Sequence, residues 1–539
     1  MKLKKLINKK LIIFSITIWF ILYISGMQDF YFAKIYELGG FQKLTRLFTK
    51  ALSLSLIYII SFLFYNMYTT RKTKETQSRA IITFSYFAIL MIFLLLTWPG
   101  AWTWDDVFIV SEAKWYNVSA WQHIFSGLFH IICLQIIPFP QGVIIIQSIL
   151  SSFIVGYCIV KLASFINNAK HCLILKFVLF TVLLSPVLLT FILSGFRMGL
   201  YSYLELFLAT KLFVMYKEGR SAPLTDLLTI CSLTIIIGAW RSEAIYYPVA
   251  IFFVLLFMGK KIITLSNTIV LTLCSLVSVF GIGNINNALI GNDNYSLTAT
   301  VGIMVELVRS ADESDSAELA KIDKVMDVEY IINHPSATGE TCFWDEECIK
   351  SYTEEEYSEY IQAYLKLALK YPTVALKAAG DIFVQTGSGL YFKSSLTNLY
   401  KNPTTQHMWK QIKGVDAIDV DFRYNVMCFL RGVDNNLNTT PLYFFTWNLF
   451  IPLILSIIFL IYKLCKKEFA TVLIILTVLC RVPLIFLTAS APYFMYYAST
   501  YICMSIFNAV FIFDIIINLI NKKKERKNEN KPNEEKYVN

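Results

Sequence analysis

Runs of apolar residues long enough to form membrane helices alternate with short polar connections along most of the chain. A bilayer core needs roughly 20 apolar residues per helix, with a range of about 17 to 25. Runs of this kind begin near Leu11, Ala51, Ala80, Val143, Leu173, Gly199, Leu227, Ala244, Ile262, Leu442, Ala470 and Thr500, which predicts about twelve spans. The first follows Met1-Lys-Leu-Lys-Lys, and no small-residue cleavage site follows Gly26, so it reads as an uncleaved signal anchor. Two connections break the alternation. One runs over 98–142, the other over 282–441, the latter long enough for a small domain. No internal repeat is visible, which weakens any comparison with transporters built from two matching halves.

After Gly281 the pattern turns to Asn, Asp, Glu and Ser, with 311–317 as a solvated acidic stretch. Thr353-Glu-Glu-Glu356 fits a capping box opening an amphipathic helix to about Lys370, and Pro372 opens another. That second segment, 374–384, is expected on the membrane surface, with Thr386-Gly-Ser-Gly389 as a flexible turn. The Lys, Asn and Glu of the tail, 521–539, predict disorder.

Charge orients these elements. Basic groups recur at alternate connections (2–10, 71–79, 161–176, 217–220, 260–261, 463–467 and from Lys522), which places them and both termini in the cytoplasm. The stretch 28–50 dissents, since Lys34, Lys43, Arg46 and Lys50 would lie outside; an amphipathic interfacial segment would suit it. Composition agrees. The 539 residues are 56% hydrophobic, with mean hydropathy +0.56 and only 16% charged, against about 25% charged in soluble domains. That excludes a soluble domain, a disordered chain or a disulfide scaffold. The net charge of +10 is spread between apolar runs rather than gathered on one surface, so it argues for a lipid bilayer as partner and against nucleic acid. The fold class is an all-α polytopic membrane protein of the cell membrane.

Candidate chemistry concentrates in the first long connection, Trp98-Pro-Gly-Ala-Trp-Thr-Trp-Asp105-Asp106. Five of the ten tryptophans lie between Trp98 and Trp121. Trp102 and Trp104 read either as an interfacial aromatic belt or as substrate contacts. Anchoring does not explain Asp105 and Asp106, which suit a general base or a metal ligand at the membrane surface. Further on, His123 and His130 are two helical turns apart and share a face. They read as structural histidines, as proton acceptors or phosphate contacts, or as partners of an aspartate around a divalent cation.

Three arginines stand where the positive-inside rule or the bilayer disfavours them. Arg481 lies inside the eleventh apolar run, at a cost of about 2.5–3.5 kcal/mol. A neighbouring helix partner would compensate it, Glu205 being the candidate; so would a lipid phosphate. Arg197 and Arg241 fall in tight outer turns, where guanidinium could bind a head-group phosphate in bidentate fashion, an Arg241–Glu243 ion pair being the alternative for Arg241. In the last outer turn Tyr493 and Tyr496 read as interface anchors or as rings stacked on a sugar. Most of the eleven cysteines lie in apolar runs, but Cys342 and Cys348 close a short outer loop and suit a disulfide.

The acidic pair early in an outer loop, followed by a Trp/His-containing juxtamembrane helix, resembles the GT-C superfamily of integral-membrane glycosyltransferases. His123 stands where many relatives have a His-Pro pair, but here Ile124 follows it, and two spans precede the one leading into the Asp loop. The final turn lacks the Arg of the Arg-Tyr pair often found there. The resemblance implies a polyprenyl-phosphate-linked sugar donor, an extracytoplasmic glycan, lipid or protein acceptor, and inversion at the anomeric carbon. It makes Asp105, Asp106 and His123 catalytic, gives Arg197, Arg241 and Arg481 the donor phosphate, and puts Trp102, Trp104, His130, Tyr493 and Tyr496 against substrate. The layout it implies is an N-terminal two-helix addition (1–79), a GT-C-like module (80–281) with its catalytic loop at 98–142, an acceptor-binding outer segment (282–441), three closing helices (442–520) and the tail. No cofactor is specified, and a divalent cation would fit the carboxylates. The competing classes are a transporter or lipid-linked-sugar flippase without glycosyl transfer, and an interaction subunit without chemistry.

Overall fold

The computed structural model describes residues 8–70, 73–118, 123–290, 294–388 and 416–529. Trp121, Gly389 and the last residues of the tail lie outside them, as does the side chain of Trp104. Among the described residues the fold is helical, and its only strand-like pairs are the isolated bridges Met326 to Ile349 and Val433 to Thr439.

Eight helices are long and apolar enough to cross a membrane, nine when the bent pair Ala169–Leu183 and Pro186–Ile192 is one span. The chain is thus a helical membrane protein. The other three expected runs also fold as helices but are shorter: Lys9–Ile24 and Leu224–Trp240 have 16 and 17 residues, and Ser242–Phe257 follows at once. At about 1.5 Å per residue these fall short of a hydrocarbon core roughly 30 Å thick.

The centre of the bundle is formed by Gln141–Ala163 and Met198–Glu218, which are largely enclosed, while Gly40–Thr70, Lys74–Leu96 and Leu265–Ala288 turn most of their apolar surface outward. Small residues let the first of these central helices approach its neighbour. A Cβ at Gly156 would lie 2.1 Å from Thr83 Oγ1, so the Lys74–Leu96 helix packs directly on its backbone. At one end of the bundle the basic groups pair across helix ends: Lys161 with Glu75 (2.9 Å), Lys211 with Asp226 (2.8 Å), and Lys217 and Lys463 with Glu468 (3.2 and 3.0 Å).

The opposite end carries the two long connections. Residues 294–388 have a hydrophobic core of their own, from Leu297 to Ala379. Its Glu354–Lys370 helix starts at the expected capping box: Thr353 accepts from Glu356 N, and Glu356 Oε2 accepts from Thr353 N at 2.8 Å. Helix Pro372–Ser388 follows.

Three expectations change and two are refined. The stretch 28–50 is not one interfacial segment: from Gly40 it belongs to the 31-residue helix Gly40–Thr70. The turns before it are tied down by Tyr31 Oη donating to Val110 O (2.7 Å) and Ala33 N to Lys114 O (3.0 Å). The acidic stretch 311–317 is exposed at most positions, as expected, except that Asp315 is buried against Lys370 (2.7 Å) and Tyr371 (2.6 Å). Segment 374–384 packs one side on protein, where Phe383 meets Phe450, Phe486 and Tyr497 with ring centroids 5.6 Å apart, and leaves Leu376 and Val384 exposed on the other. The last helix, Ala498–Glu529, runs eight residues past Asn521, since Lys, Glu and Arg propagate a helix already nucleated by its apolar part. Within 282–441, the Val420–Arg431 helix belongs with the bundle, burying Tyr424, Met427, Cys428 and Leu430 in the main core.

Candidate functional site

The turn that follows the Lys74–Leu96 helix is built from backbone contacts. Ala101 N donates to Leu193 O (2.8 Å), and Trp102 Nε1 donates to Pro99 O (2.8 Å). The Trp102 ring lies against Gly195, where a Cβ would come within 2.3 Å of it. Trp102 is therefore fully buried and fills the space between two turns instead of facing a ligand. Thr103 then caps the Trp104–Lys114 helix.

The acidic pair splits at this cap. Asp106 is the capping-box partner: its Oδ2 accepts from Thr103 N at 3.0 Å, and the residue is completely buried. Burial pushes its carboxyl well above the usual range, against the pull of the Thr103 N–H and of the nearby Arg431 guanidinium. Asp105 is only partly buried. Burial raises its pKa too, while the guanidinium groups of Arg197 and Arg241 oppose the rise. One carboxylate shapes the helix start, and the other faces two cations.

His123 lies near the same two arginines. Its imidazole is depressed below the ordinary histidine value by burial and by Arg197 and Arg241, Glu243 partly offsetting them. The Nδ1 atom is buried with no hydrogen-bond partner among the described residues. His130 is held differently. Its Nδ1 lies 2.6 Å from Ser126 O and its Nε2 2.5 Å from Gly195 O, so both nitrogens are engaged with backbone and the ring ties its helix to the 194–196 turn.

Arg197 and Arg241 are both buried. Arg197 O accepts from Trp240 Nε1 at 3.2 Å, fixing one turn against the other. Arg241 is ion-paired with Glu243 and also contacts Met198 Sδ. Arg481, wholly inaccessible to solvent, stands deeper: Nη1 donates to Ser499 Oγ (3.0 Å), Nη2 donates to Tyr201 Oη and lies 3.5 Å from Glu205 Oε2. Glu205, also buried, accepts from Tyr247 Oη. The neighbouring-helix partner read from the sequence is the one present, and Arg481 is enclosed by protein contacts.

Beside the Asp105 cluster a groove of about 610 Å³ opens between four helices. Phe48, Leu52, Phe125, Phe129, Trp240 and Ile285 give it an almost wholly apolar lining. Its wall residues Ile124 and Trp240 are the direct chain neighbours of His123 and Arg241.

On the far side, Tyr493 Oη donates to Glu340, tying the last turn to the 294–388 domain, and Tyr496 packs beside it at 5.9 Å. Cys342 and Cys348 are fully buried with their thiols in hydrogen-bonding contact and are unbridged in the structure. Among the described residues no three His, Cys, Asp or Glu side chains converge to hold a metal ion.

Two functional neighbours are absent from the sequence reading. Arg423 donates to Thr97 O (3.2 Å) and Gly100 O (2.7 Å), and Arg431 lies near Asp106. Their partners lie more than 300 residues away in the chain, so no local pattern marks them. The split of the acidic pair did leave a signal, since Thr103-Trp-Asp-Asp106 is a capping-box pattern.

Fold and composition define a helical membrane protein with a buried charge cluster at one end of its bundle. Comparison with known proteins takes this no further: no family model, no curated protein and no solved structure matches the chain.

Proposed function

We propose that the protein is a GT-C-type membrane glycosyltransferase that moves a sugar from a polyprenyl-phosphate donor to an extracytoplasmic glycan, lipid or protein acceptor. The observation that carries this reading is the apolar groove, whose wall residues Ile124 and Trp240 adjoin His123 and Arg241 in the chain. A hydrocarbon chain suits the groove, whose volume falls in the range of about 300–1,000 Å³ usual for ligand pockets. A phosphate suits the paired guanidinium groups. In this reading twelve spans, the short helices included, leave both termini in the cytoplasm and the site outside, with 294–388 helping to bind the acceptor.

Asp105 takes the proton from the acceptor hydroxyl. The hydroxyl oxygen forms a bond to the anomeric carbon from the face opposite the phosphate, the bond from that carbon to the phosphate oxygen breaks, and configuration inverts. The electron pair leaves with polyprenyl phosphate, whose charge Arg197 and Arg241 stabilise. A carboxyl raised above its ordinary range serves this step, because a base works best with a pKa nearer the operating pH. His123, kept neutral by its surroundings, offers a hydrogen bond without adding positive charge.

A lipid-linked-sugar flippase is the second reading, favoured by the Arg481–Glu205 pair inside the bundle. Cells expressing Asp105→Asn separate the two. Loss of the added sugar from surface glycan, with lipid-linked sugar still exported, supports transfer. Unchanged glycan sinks the enzyme, and lost export with transfer onto a supplied acceptor intact favours the flippase.

A further inference from the structure

We propose that the Val420–Arg431 helix is a clasp for the Asp105 turn and that Arg423 and Arg431 are positioning residues for the reaction proposed above, on which this inference rests.

The helix is firmly seated. Asp419 Oδ1 caps its start by accepting from Phe422 N at 2.9 Å. It ends at Gly432 with φ +67°, where a Cβ would lie 2.7 Å from Tyr443 Cα, so only glycine allows the next helix to press so closely. Trp447 Nε1 donates to Leu430 O at 2.9 Å, and the Arg431 guanidinium lies over the Trp447 ring, 4.8 Å from its centroid.

From this seat Arg423 grips the start of the turn, and Arg431 lies near its end. Arg423, almost wholly buried, donates to the carbonyls of Thr97 and Gly100, where the chain leaves the Lys74–Leu96 helix. Arg431 stands near Asp106 at the start of the next helix, where Asp106 Oδ2 receives the Thr103 N–H and Oδ1 is buried without a hydrogen-bond partner among the described residues. Asp105 is the residue between the capping contact and the open cluster. Burying a guanidinium is expensive, and an apolar side chain of similar size would serve packing as well. What a planar fork adds is direction: it fixes two carbonyls at once. A misplacement of about 1 Å can cost a catalyst on the order of a hundredfold, so fixing this turn fixes the base. The segment after the 294–388 domain thereby completes a site whose carboxylate lies some three hundred residues earlier.

The test uses the full-length protein reconstituted with a polyprenyl-phosphate sugar and reads two quantities: amide hydrogen exchange over 97–107, and the separate kcat and donor KM. Arg423→Ala should speed exchange in that turn and lower kcat by about a hundredfold while donor KM holds. Arg423→Lys should recover part of both, and Asp421→Asn, exposed on the same helix, should change neither. If Arg423→Ala does not accumulate, Arg431→Gln carries the same two readouts with the same expectations. Unchanged exchange overturns the clasp. Faster exchange with unchanged kcat, or a raised KM with kcat intact, overturns the positioning role. If the wild-type protein transfers no sugar, the glycosyltransferase reading falls and with it the positioning role, while exchange still decides the clasp.

Discussion

Two groups of buried arginine stand a few side chains apart and behave differently. Arg481 is enclosed deep in the bundle, held by Glu205, Tyr201 and Ser499. Arg197 and Arg241 lie at the bundle end, near a partly buried aspartate and a histidine held below its ordinary pKa by burial. All three are equally odd by the rules of membrane sequence. An arginine in an expensive place is therefore no site by itself; a place where a charge borders both a reactive group and room for a ligand is the better sign.

The largest effect that would sharpen this contrast is on stability. Arg481→Met should cost about 3–5 kcal/mol, because the Glu205 carboxylate is left buried and unpaired. Arg481→Met with Glu205→Leu should recover most of the loss in thermal unfolding of the detergent-solubilised protein. If Arg481→Met stays stable but loses donor binding, the two groups are one site and the contrast breaks. Next, Arg197→Gln should raise the donor KM about tenfold or more, the loss of a charged hydrogen bond worth roughly 1.5–3 kcal/mol.

A smaller effect is on pH dependence. Asp105 must be ionised to act, and burial lifts its pKa, so the acidic limb of kcat/KM should lie above the range of an ordinary carboxylate. A nearby cation favours the ionised form, so Arg197→Gln should move that limb to still higher pH; a shift downward would remove Arg197 from the cluster. Smallest of all, Lys370 and Tyr371 hold Asp315 down to about 2 from an ordinary 3.8. Its contribution to the 294–388 domain is present above the unfolded value and is lost as pH falls toward 2, and Asp315→Asn should flatten that part of an acid-unfolding curve of the full chain.

Much of this architecture is written locally and so could be read in advance. The capping box at Thr353 and the helix start at Pro372 depend on neighbours three residues away or fewer, and both stand where the pattern puts them. The partnership of Arg481 with Glu205 was readable because few charges in a bilayer have anywhere else to go. Elements set by distant contacts were not readable. Nothing near Phe383 in the chain marks its packing against Phe450 and Phe486. Trp102 and His130 look like ligand contacts until the Gly195 turn arrives to fill their hydrogen bonds and packing. Asp105 and Asp106 are identical by type, and only the position of Asp106 three residues after Thr103 marks it in the sequence as the one spent on the cap.

That division of labour is the centre of the account, and parallel turnover assays of Asp105→Asn and Asp106→Asn in proteoliposomes with a polyprenyl-phosphate sugar test it most directly. Asp105→Asn should fold normally and lose on the order of 10²–10⁴-fold in kcat, the usual worth of a general base. Asp106→Asn, whose amide oxygen can still accept the Thr103 N–H, should keep far more of its turnover. Turnover retained by Asp105→Asn and lost by Asp106→Asn would contradict the account.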